Sequence, residues 1–366
     1  MGVEFRAIRK VFADGTVALE GLDLAFETGE FIVLLGPSGS GKTTACRLLA
    51  GLEEPSSGGV WVDGRDITAL PPRERGMSMV FQNYALYAHK TVYENIAYPL
   101  RIRRAPRAEI DRMVRQIAAM LQIEVQLDRR PRQLSGGQAQ RVAVARALVW
   151  QPGICLMDEP LSNLDALLRL QTRTELKRLH GELRRTFVFV THDQEEAMTL
   201  GTRIAVLNEG RLVQFDTPRR IYREPARRFV AGFIGRPAMN TIDGAIEQGV
   251  FRAGGFALPV PGRRDGPLTL GIRPEALIMH EQPTEDSVAF ELDVVELVEP
   301  DTLLFVKKGE VLMVARIMRD VGERKAGSPG SGQRSWSWAS RMPKATSSWS
   351  ASTTRCPTAA GSSEAP

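Results

Sequence analysis

This chain of 366 residues is short of cysteine, of long apolar runs and of any strong charge imbalance. Its three cysteines, Cys46, Cys155 and Cys356, have neither a disulfide nor a metal-binding spacing, which fits a reducing compartment. No apolar run reaches the roughly 18 residues that a membrane-spanning helix needs, and the N-terminus lacks a signal-peptide core. The net charge of +5 is spread over many arginines, so nucleic acid is not an expected partner.

Apolar strands alternate with helices over the first part of the chain. The clearest apolar runs are Phe31–Leu35, Ile154–Asp158, Thr186–His192 and Arg203–Leu207. Helical periodicity separates them, most clearly at Ala108–Leu121. This alternation predicts an α/β domain with a buried parallel sheet. Because the chain is too long for one ordinary core, we expect a second domain.

From about Ala238 the pattern changes to short strands with no long helix between them. These strands carry the sequences TLGIRPEAL, AFELDVVELV, TLLFVKK and EVLMVARI. They predict a small all-β domain, an OB-like barrel. The expected boundaries are residues 1–236 for the α/β domain, with a helical subdomain at about 84–150, and residues 237–322 for the barrel.

The segment 323–366 has a composition that cannot form a core. From Ala326 onward it contains no valine, isoleucine, leucine, phenylalanine or tyrosine, and Glu364 is its single acidic residue. We expect this segment to be disordered. The abrupt change favours an out-of-frame ending that leaves the barrel incomplete, and a genuine disordered tail is the alternative.

The stretch GPSGSGKTT follows directly on the apolar strand Phe31–Leu35 and leads into a helix. It satisfies the full phosphate-loop pattern, whose glycines let backbone N–H groups turn towards phosphate oxygens at a helix N-terminus. Lys42 is expected to reach the β- and γ-phosphates of a nucleotide, and the Thr43 hydroxyl to bind Mg²⁺. The predicted nucleotide-binding residues here are Gly36, Pro37, Ser38, Gly39, Ser40, Gly41, Lys42, Thr43 and Thr44.

Two carboxylates, Asp158 and Glu159, stand at the carboxyl end of the strand ICLMD. Open α/β sheets bind their ligands at this edge. Asp158 is expected to hold the Mg²⁺ shell, and Glu159 to polarise an attacking water. An exposed acidic pair at a strand end is the alternative, and the upstream phosphate loop favours the functional interpretation.

A second glycine-rich stretch, LSGGQ at Leu134–Gln138, lies between these motifs, although one nucleotide needs only one phosphate loop. With Gln82 after an apolar strand, Asp165 in SNLD and His192 in VTHD, it resembles the ordered motifs of ATP-binding-cassette (ABC) ATPases. The stretches PPRERGMSMVFQNYALY, DEPLSNLDALLR, THDQEEAMTL and RRFVAGFIGRPAMN are similar to import ATPases of the maltose and glycerol-phosphate type. The resemblance covers about residues 3–320.

The resemblance implies a homodimer, or a pair of related ATPase subunits, that sandwiches two ATP molecules. Ser135 and Gly137 would contact the γ-phosphate held by the partner chain, with Gly136 and Gln138 in the same nucleotide site. A plain helix cap at Ser135 is the alternative.

The resemblance also assigns roles to single residues. Gln82 would contact Mg²⁺ or the water, and His192 would hold the γ-phosphate. Asp165 would shape the interface between the two sites, and Phe12 would stack on adenine unless it is a core aromatic of an edge strand. The implied catalytic set is Glu159, His192, Gln82 and Lys42, and the implied metal set is Thr43, Gln82 and Asp158.

The activity implied is Mg-ATP hydrolysis that drives solute import from the cytoplasmic face of the cell membrane. The implied partners are two membrane-embedded permease subunits and an extracytoplasmic solute-binding protein. A groove at Asn83–Tyr87 would receive a permease helix, although Ala88 and Lys90 depart from the family's usual residues there. A sugar, a sugar phosphate or glycerol phosphate is the favoured solute. The alternatives are a polyamine or inorganic-ion importer, a soluble ABC ATPase without a transport role, and a non-catalytic regulatory protein.

Overall fold

The computed structural model describes residues 2–260, 262–279, 287–317 and 334–337. The chain forms two compact units, Met1–Ala226 and Arg227–Pro366. The sequence places this boundary later, between residues 236 and 237. Among the described residues, no helix has both the length and the apolarity that crossing a membrane requires.

The first unit alternates strands and helices along the chain. Its strands are β1 Gly2–Val11, β2 Val17–Glu27, β3 Phe31–Leu35, β4 Ser57–Val62, β5 Arg65–Asp66, β6 Met77–Val80, β7 Ile154–Asp158, β8 Thr186–Thr191, β9 Arg203–Asn208 and β10 Arg211–Asp216. Its helices are α1 Lys42–Ala50, α2 Val92–Ile102, α3 Arg107–Met120, α4 Gly136–Leu148, α5 Ala166–Leu183, α6 Gln194–Leu200 and α7 Pro218–Arg223.

A six-stranded sheet with the order β10-β9-β3-β8-β7-β6 forms the centre of this unit. Strands β3 and β6 to β9 run parallel, and β10 is an antiparallel edge strand. Every residue of β3, β7 and β8 is buried, which confirms the α/β class with a buried parallel sheet. Because parallel strands end at one edge, the residues after β3, β6, β7 and β8 meet there.

A second sheet, of order β2-β1-β4-β5, is antiparallel. Its β1 and β2 strands have 10 and 11 residues. The apolar core joins this sheet to α1 and to the central sheet, with Ile8, Leu22, Cys46, Leu49 and Val190 all fully buried. The phosphate-loop helix is therefore packed between two sheets.

Three helices, α2 to α4, lie in the segment 84–150 that the sequence assigns to a helical subdomain. Helix α2 begins at a capping box in which Thr91 and Glu94 satisfy each other's backbone N–H groups. The run expected to be helical at Ala108–Leu121 is the helix Arg107–Met120, whose apolar face is buried.

The second unit begins with helix α8 Arg228–Phe233 and continues as strands. Its strands are β11 Asn240–Glu247, β12 Val250–Ala253, β13 Phe256–Pro259, β14 Gly266–Ile272, β15 Ile278–Met279, β16 Ser287–Val298, β17 Asp301–Lys308, β18 Val311–Ile317 and β19 Arg334–Ser337. They form two antiparallel sheets, of order β13-β12-β11-β14 and β15-β19-β16-β17-β18, around Phe251 and Leu304. The all-β domain is as predicted, but β11 to β13 were not expected from the sequence.

One part of the predicted tail differs from the expectation of disorder. The segment Arg334–Ser337 pairs antiparallel with β16 and with β15. Pairing with a strand edge satisfies backbone N–H and C=O groups whatever the side chains are. Amino-acid composition therefore does not predict such pairing. Residues 318–333 and 338–366, and with them most of the predicted tail, lie outside the described residues.

Candidate active site

The phosphate loop lies between the carboxyl end of β3 and the start of α1. Gly41 is the N-cap of α1 with φ of 96°, a left-handed conformation that favours glycine. A Cβ at this position would lie 2.5 Å from the carbonyl oxygen of Ala18 on β2. The loop therefore needs glycine here for its backbone angle and for its close approach to the second sheet.

Lys42 is buried inside the loop that it belongs to. Its ammonium donates to the carbonyl oxygen of Pro37 at 2.7 Å and to the Ser40 hydroxyl at 3.4 Å. Burial lowers the pKa of Lys42, while the nearby Glu159 and Asp158 oppose that shift. The ammonium thus lies within the curve of the loop, where a phosphate oxygen can replace the Pro37 carbonyl.

Thr43 and Asp158 meet at the sheet edge, as the sequence predicts. The Thr43 hydroxyl donates to Oδ1 of Asp158 at 2.8 Å, and Asp158 is only 6% exposed. Burial raises the pKa of Asp158, and the bond from Thr43 opposes this effect. A buried carboxylate beside a hydroxyl is an oxygen donor set that suits Mg²⁺, an ion that keeps several waters and phosphate oxygens.

Glu159 follows β7 in a left-handed conformation with φ of 45°. Its backbone N–H donates to the Val190 carbonyl oxygen on β8, so the turn is fixed to the neighbouring strand. Its Oε2 lies 3.3 Å from Nδ1 of His192, which follows β8. The structure therefore brings together the predicted base and the predicted γ-phosphate contact.

A polar network holds the His192 loop, and sequence reasoning did not find it. Thr191 donates its hydroxyl to Glu196 at 2.6 Å and accepts the backbone N–H of Asp193 at 2.9 Å. Asp193 in turn caps α6 by accepting the N–H groups of Glu195 and Glu196. Burial raises the pKa of Glu196. The residues around a small cavity here are Glu159, Ser162, Arg169, Thr191, His192, Asp193 and Glu196.

Gln82 follows β6 and is exposed. Its amide donates to the Ser162 hydroxyl at 3.3 Å, and Ser162 donates to the carbonyl oxygen of Glu159 at 2.9 Å. The Gln82 carbonyl accepts from the Asn163 amide at 3.0 Å. Gln82 is therefore linked to the Glu159 backbone, and its place in the predicted metal set stays a prediction.

Ser135 is the N-cap of α4, in a capping box with Gln138. The Gln138 N–H donates to Ser135 at 3.4 Å, and the Ser135 N–H donates to the Gln138 side chain at 3.1 Å. Ser135 and Gly136 are exposed, whereas Gly137 is buried. The serine therefore caps its own helix in this chain, and contact with a partner's nucleotide stays a prediction.

Asp165 is a helix cap and Phe12 is exposed. Their predicted roles, at the interface between sites and in adenine stacking, stay predictions. Asp165 caps α5 by accepting the Leu168 N–H at 2.9 Å. Phe12 is 37% exposed, and the Lys10 ammonium lies 5.0 Å from its ring centroid. Phe12 is therefore not a core aromatic.

This arrangement can bind a polyphosphate and activate water beside it. A cationic lysine and a helix N-terminus form the anion site, and the Thr43–Asp158 pair offers oxygen donors for a divalent cation. Glu159 is a carboxylate with a histidine at 3.3 Å on the same edge of the sheet. Nucleotide hydrolysis is the chemistry for which these groups are suited.

Known families match both units. The family model described as ABC transporter matches residues 19–162, and the model described as MalK OB fold domain matches residues 235–277. The sn-glycerol-3-phosphate import ATP-binding protein UgpC of Salmonella typhi is 47% identical over 323 residues, which are 86% of this chain and 90% of that protein. The chain belongs to the ABC transporter ATP-binding family. It is an ABC-type ATPase with a MalK-type OB-fold domain, as its motifs predict.

Other members and solved structures agree with this assignment. The osmoprotective compounds uptake ATP-binding protein GgtA of Synechocystis is 48% identical and covers 86% of this chain and 87% of that protein. A bacterial ABC transporter cassette solved as a dimer is 33% identical with a TM-score of 0.54, and covers 59% of this chain and 99% of its own. The protein cbiO1 of Clostridium perfringens, part of the ABC transporter complex cbiONQ, is 28% identical with a TM-score of 0.56, and covers 60% of this chain and 89% of its own.

Proposed function

We propose that this ABC ATPase powers solute import and that Glu159 is its general base. The observation that carries the proposal is the Glu159–His192 pair at 3.3 Å, next to the Asp158 carboxylate that bonds Thr43 of α1. These contacts support a base at Glu159, beside the phosphate loop. A carboxylate in this position takes the proton of the water that attacks the γ-phosphate.

Binding of ATP uses groups that already converge. Lys42 exchanges its bond to the Pro37 carbonyl for a bond to phosphate oxygens, and the N-terminus of α1 adds its partial positive charge. The exposed ring of Phe12 stacks on adenine. Low exposure of Lys42, at 5%, strengthens its attraction to phosphate because water screens it poorly.

Thr43, Asp158 and Gln82 would hold the magnesium ion. When bound, Mg²⁺ neutralises negative charge on the β- and γ-phosphate oxygens. Asp158 offers a buried carboxylate to the metal, next to the Thr43 hydroxyl that donates to its Oδ1. Gln82 is connected to this site by hydrogen bonds: its amide donates to the Ser162 hydroxyl, which donates to the Glu159 carbonyl oxygen.

A second copy, or a related ATPase subunit, completes each nucleotide site. The exposed Ser135 and Gly136 stand at the N-terminus of α4, where N–H groups can bind the γ-phosphate of the partner's ATP. The dimeric state of a solved cassette with 33% identity supports this arrangement. Asp165, the exposed N-cap residue of α5, shapes the contact between the two sites.

The remaining partners follow from the import role. Two permease subunits in the membrane carry the solute, an extracytoplasmic binding protein delivers it, and the ATPase sits on the cytoplasmic face. The name of the Salmonella typhi relative favours sn-glycerol-3-phosphate as the solute. The name of the Synechocystis relative favours osmoprotective compounds as a second candidate.

A substitution of the proposed base tests the activity. Glu159→Gln is expected to bind ATP normally and to release phosphate about 10² to 10⁴ times more slowly, because the amide cannot take a proton. Glu182→Gln is the matched control, since Glu182 is an exposed residue of α5 that pairs with Arg178. Phosphate release by Glu159→Gln at the rate of the control would remove Glu159 from the role of base.

Reconstitution tests the solute. The chain is combined with its permease subunits and binding protein in vesicles, and ATP hydrolysis is measured with each candidate solute. We expect sn-glycerol-3-phosphate to stimulate hydrolysis. Stimulation by an osmoprotective compound alone would favour the second candidate, and stimulation by a polyamine or an inorganic ion alone would reject both.

A further inference from the structure

Arg146 on α4 binds the loop that follows Gln82. Its Nη1 donates to the Ala85 carbonyl oxygen at 2.7 Å, and its Nη2 donates to the Tyr84 carbonyl oxygen at 2.9 Å. The guanidinium carbon also lies 5.6 Å from the centroid of the Tyr87 ring. One side chain thus contacts Tyr84, Ala85 and Tyr87 of the loop.

The loop needs this support because its backbone is strained. Tyr84 and Ala85 have φ of 61° and 47°, in the left-handed region that residues other than glycine rarely adopt. Two left-handed residues in succession turn both carbonyl groups towards the arginine. Charge-assisted hydrogen bonds to a planar fork offset the cost of such a backbone.

A second anchor lies on α2. Asn95 is fully buried, accepts the Tyr87 N–H at 2.8 Å and donates to the Tyr87 and Thr91 carbonyl oxygens at 3.1 and 2.9 Å. The Tyr87 ring also packs against Tyr98 of α2, with centroids 4.7 Å apart. Residues 84–91 are therefore attached to the helices α2 and α4.

Gln82 has its contacts on the other side of the site. Its side chain and carbonyl bond Ser162 and Asn163, which follow Glu159 after β7. Asn83, which is exposed, is the one residue between this anchor and the Arg146 anchor. A turn closes here, because the Tyr84 N–H donates to the Phe81 carbonyl oxygen at 2.9 Å and the Ala85 N–H donates to the Asn83 carbonyl oxygen at 2.7 Å.

We propose that Arg146 is a positioning residue that makes residues 84–88 move with α4. Helix α4 is continuous from Gly136 to Leu148, so Arg146 and the exposed Ser135 at its start form one rigid element. A displacement at Ser135 is then transmitted to the loop beside Gln82. The functional meaning of this link rests on the proposed roles of Gln82 and Ser135.

Hydrogen–deuterium exchange of the full chain, with and without ATP, tests the link. In Arg146→Met the amides of residues 84–88 are expected to exchange roughly tenfold faster, since about one net hydrogen bond of local stability is lost. Arg141→Met is the matched control. Arg141 lies on the same helix, donates to the Leu121 carbonyl and pairs with Glu175, away from the loop.

A conservative variant and a kinetic measurement separate positioning from general stability. Arg146→Lys keeps the charge but cannot bond both carbonyls as a fork does, so its exchange is expected to be intermediate. It also carries the test if Arg146→Met does not fold. For both variants kcat is expected to fall while KM for ATP stays unchanged, because no phosphate-loop residue contacts Arg146 among the described residues.

Unchanged exchange at residues 84–88 in both Arg146 variants would overturn the proposal. An equal increase there in Arg141→Met would overturn it too, since the effect would then belong to α4 in general. The exchange result does not depend on catalysis. Normal turnover of Glu159→Gln would therefore reject the proposed base while leaving the Arg146 prediction standing.

Discussion

Arg75 holds the C-terminal end of the phosphate-loop helix α1 from inside the protein. Its Nη1 donates to the carbonyl oxygens of Leu48 and Leu49, its Nη2 to Thr68 and its Nε to Leu70, at 2.6 to 3.0 Å. Burial lowers its pKa. The guanidinium thus connects carbonyl groups at the C-terminal end of α1 with those of the segment that follows β5.

Replacing Arg75 by methionine should destabilise the first unit. We expect the free energy of unfolding to fall by roughly 2–4 kcal/mol, because several buried carbonyls lose their donor at once. Arg73→Met is the control, since Arg73 is 84% exposed and, within the described part of the chain, pairs only with Glu74. Urea denaturation of the two variants measures the difference, and equal midpoints would contradict this role of Arg75.

The two cysteines of the described core should be chemically inert. Burial raises the pKa of Cys155 to about 12 and that of Cys46 well above its ordinary value. Because the thiolate is the reactive form, native protein treated with iodoacetamide at mildly alkaline pH should remain unmodified at both positions and react only after unfolding. Mass spectrometry of the peptides reads this out. Modification of Cys46 or Cys155 in the native state would contradict the prediction, because it would show that the core around that thiol opens to solvent.

At the residue scale, sequence reasoning located the groups that occur in local motifs. Lys42, Asp158, Glu159 and His192 are each fixed by their neighbours in the chain, and the structure places all four along one sheet edge. Arg75 and Arg146 were missed, since each acts on backbone carbonyls of remote segments and no local pattern marks such a contact.

Among the elements, the phosphate loop has positions that require glycine. Gly41 and Gly39 both have positive φ, at 96° and 77°. A Cβ at Gly41 would collide with the Ala18 carbonyl and the Leu19 side chain, whereas a Cβ at Gly39 would meet nothing within 4 Å.

These two glycines therefore form a matched pair of variants. Gly39→Ala should lose about 1 kcal/mol of stability from backbone strain alone. Gly41→Ala should lose clearly more, because either α1 or β2 must shift. Denaturation without nucleotide measures both effects apart from ATP binding, and equal losses would contradict the predicted clash.

Helices and buried strands were predicted best where composition and capping agree. The strand Phe31–Leu35 has the predicted bounds, and the helix expected at Ala108–Leu121 is Arg107–Met120. Strand β11, NTIDGAIE, was missed because Gly244 interrupts its apolar alternation between the buried Ile242 and Ile246. The order of the strands in the central sheet was beyond the sequence, since it depends on crossover connections that local patterns do not encode.

At the scale of the whole molecule, the second glycine-rich loop is the feature that a single chain does not explain. Ser135 caps its own helix and is exposed, and its side-chain partner is Gln138 of the same helix. The phosphate loop lies instead with Asp158 and Glu159. Our central claim is that each ATP is held by the phosphate loop of one subunit and by Ser135–Gly137 of its partner.

Mixing two inactive variants tests this claim most directly. Lys42→Ala removes the phosphate-loop cation, and Ser135→Arg blocks the loop that reaches the partner. Each variant alone should release almost no phosphate, because both sites of its dimer are damaged. In a mixed dimer, one site combines an intact phosphate loop with an intact Ser135 loop.

An equal mixture, refolded or exchanged together, should recover about a quarter of the wild-type rate of phosphate release, since about half of the dimers are mixed and each has one complete site. Recovery of that order would establish a site shared between two chains. A mixture as inactive as its two components would contradict the account, because Lys42 and Ser135 would then serve the same nucleotide within one chain.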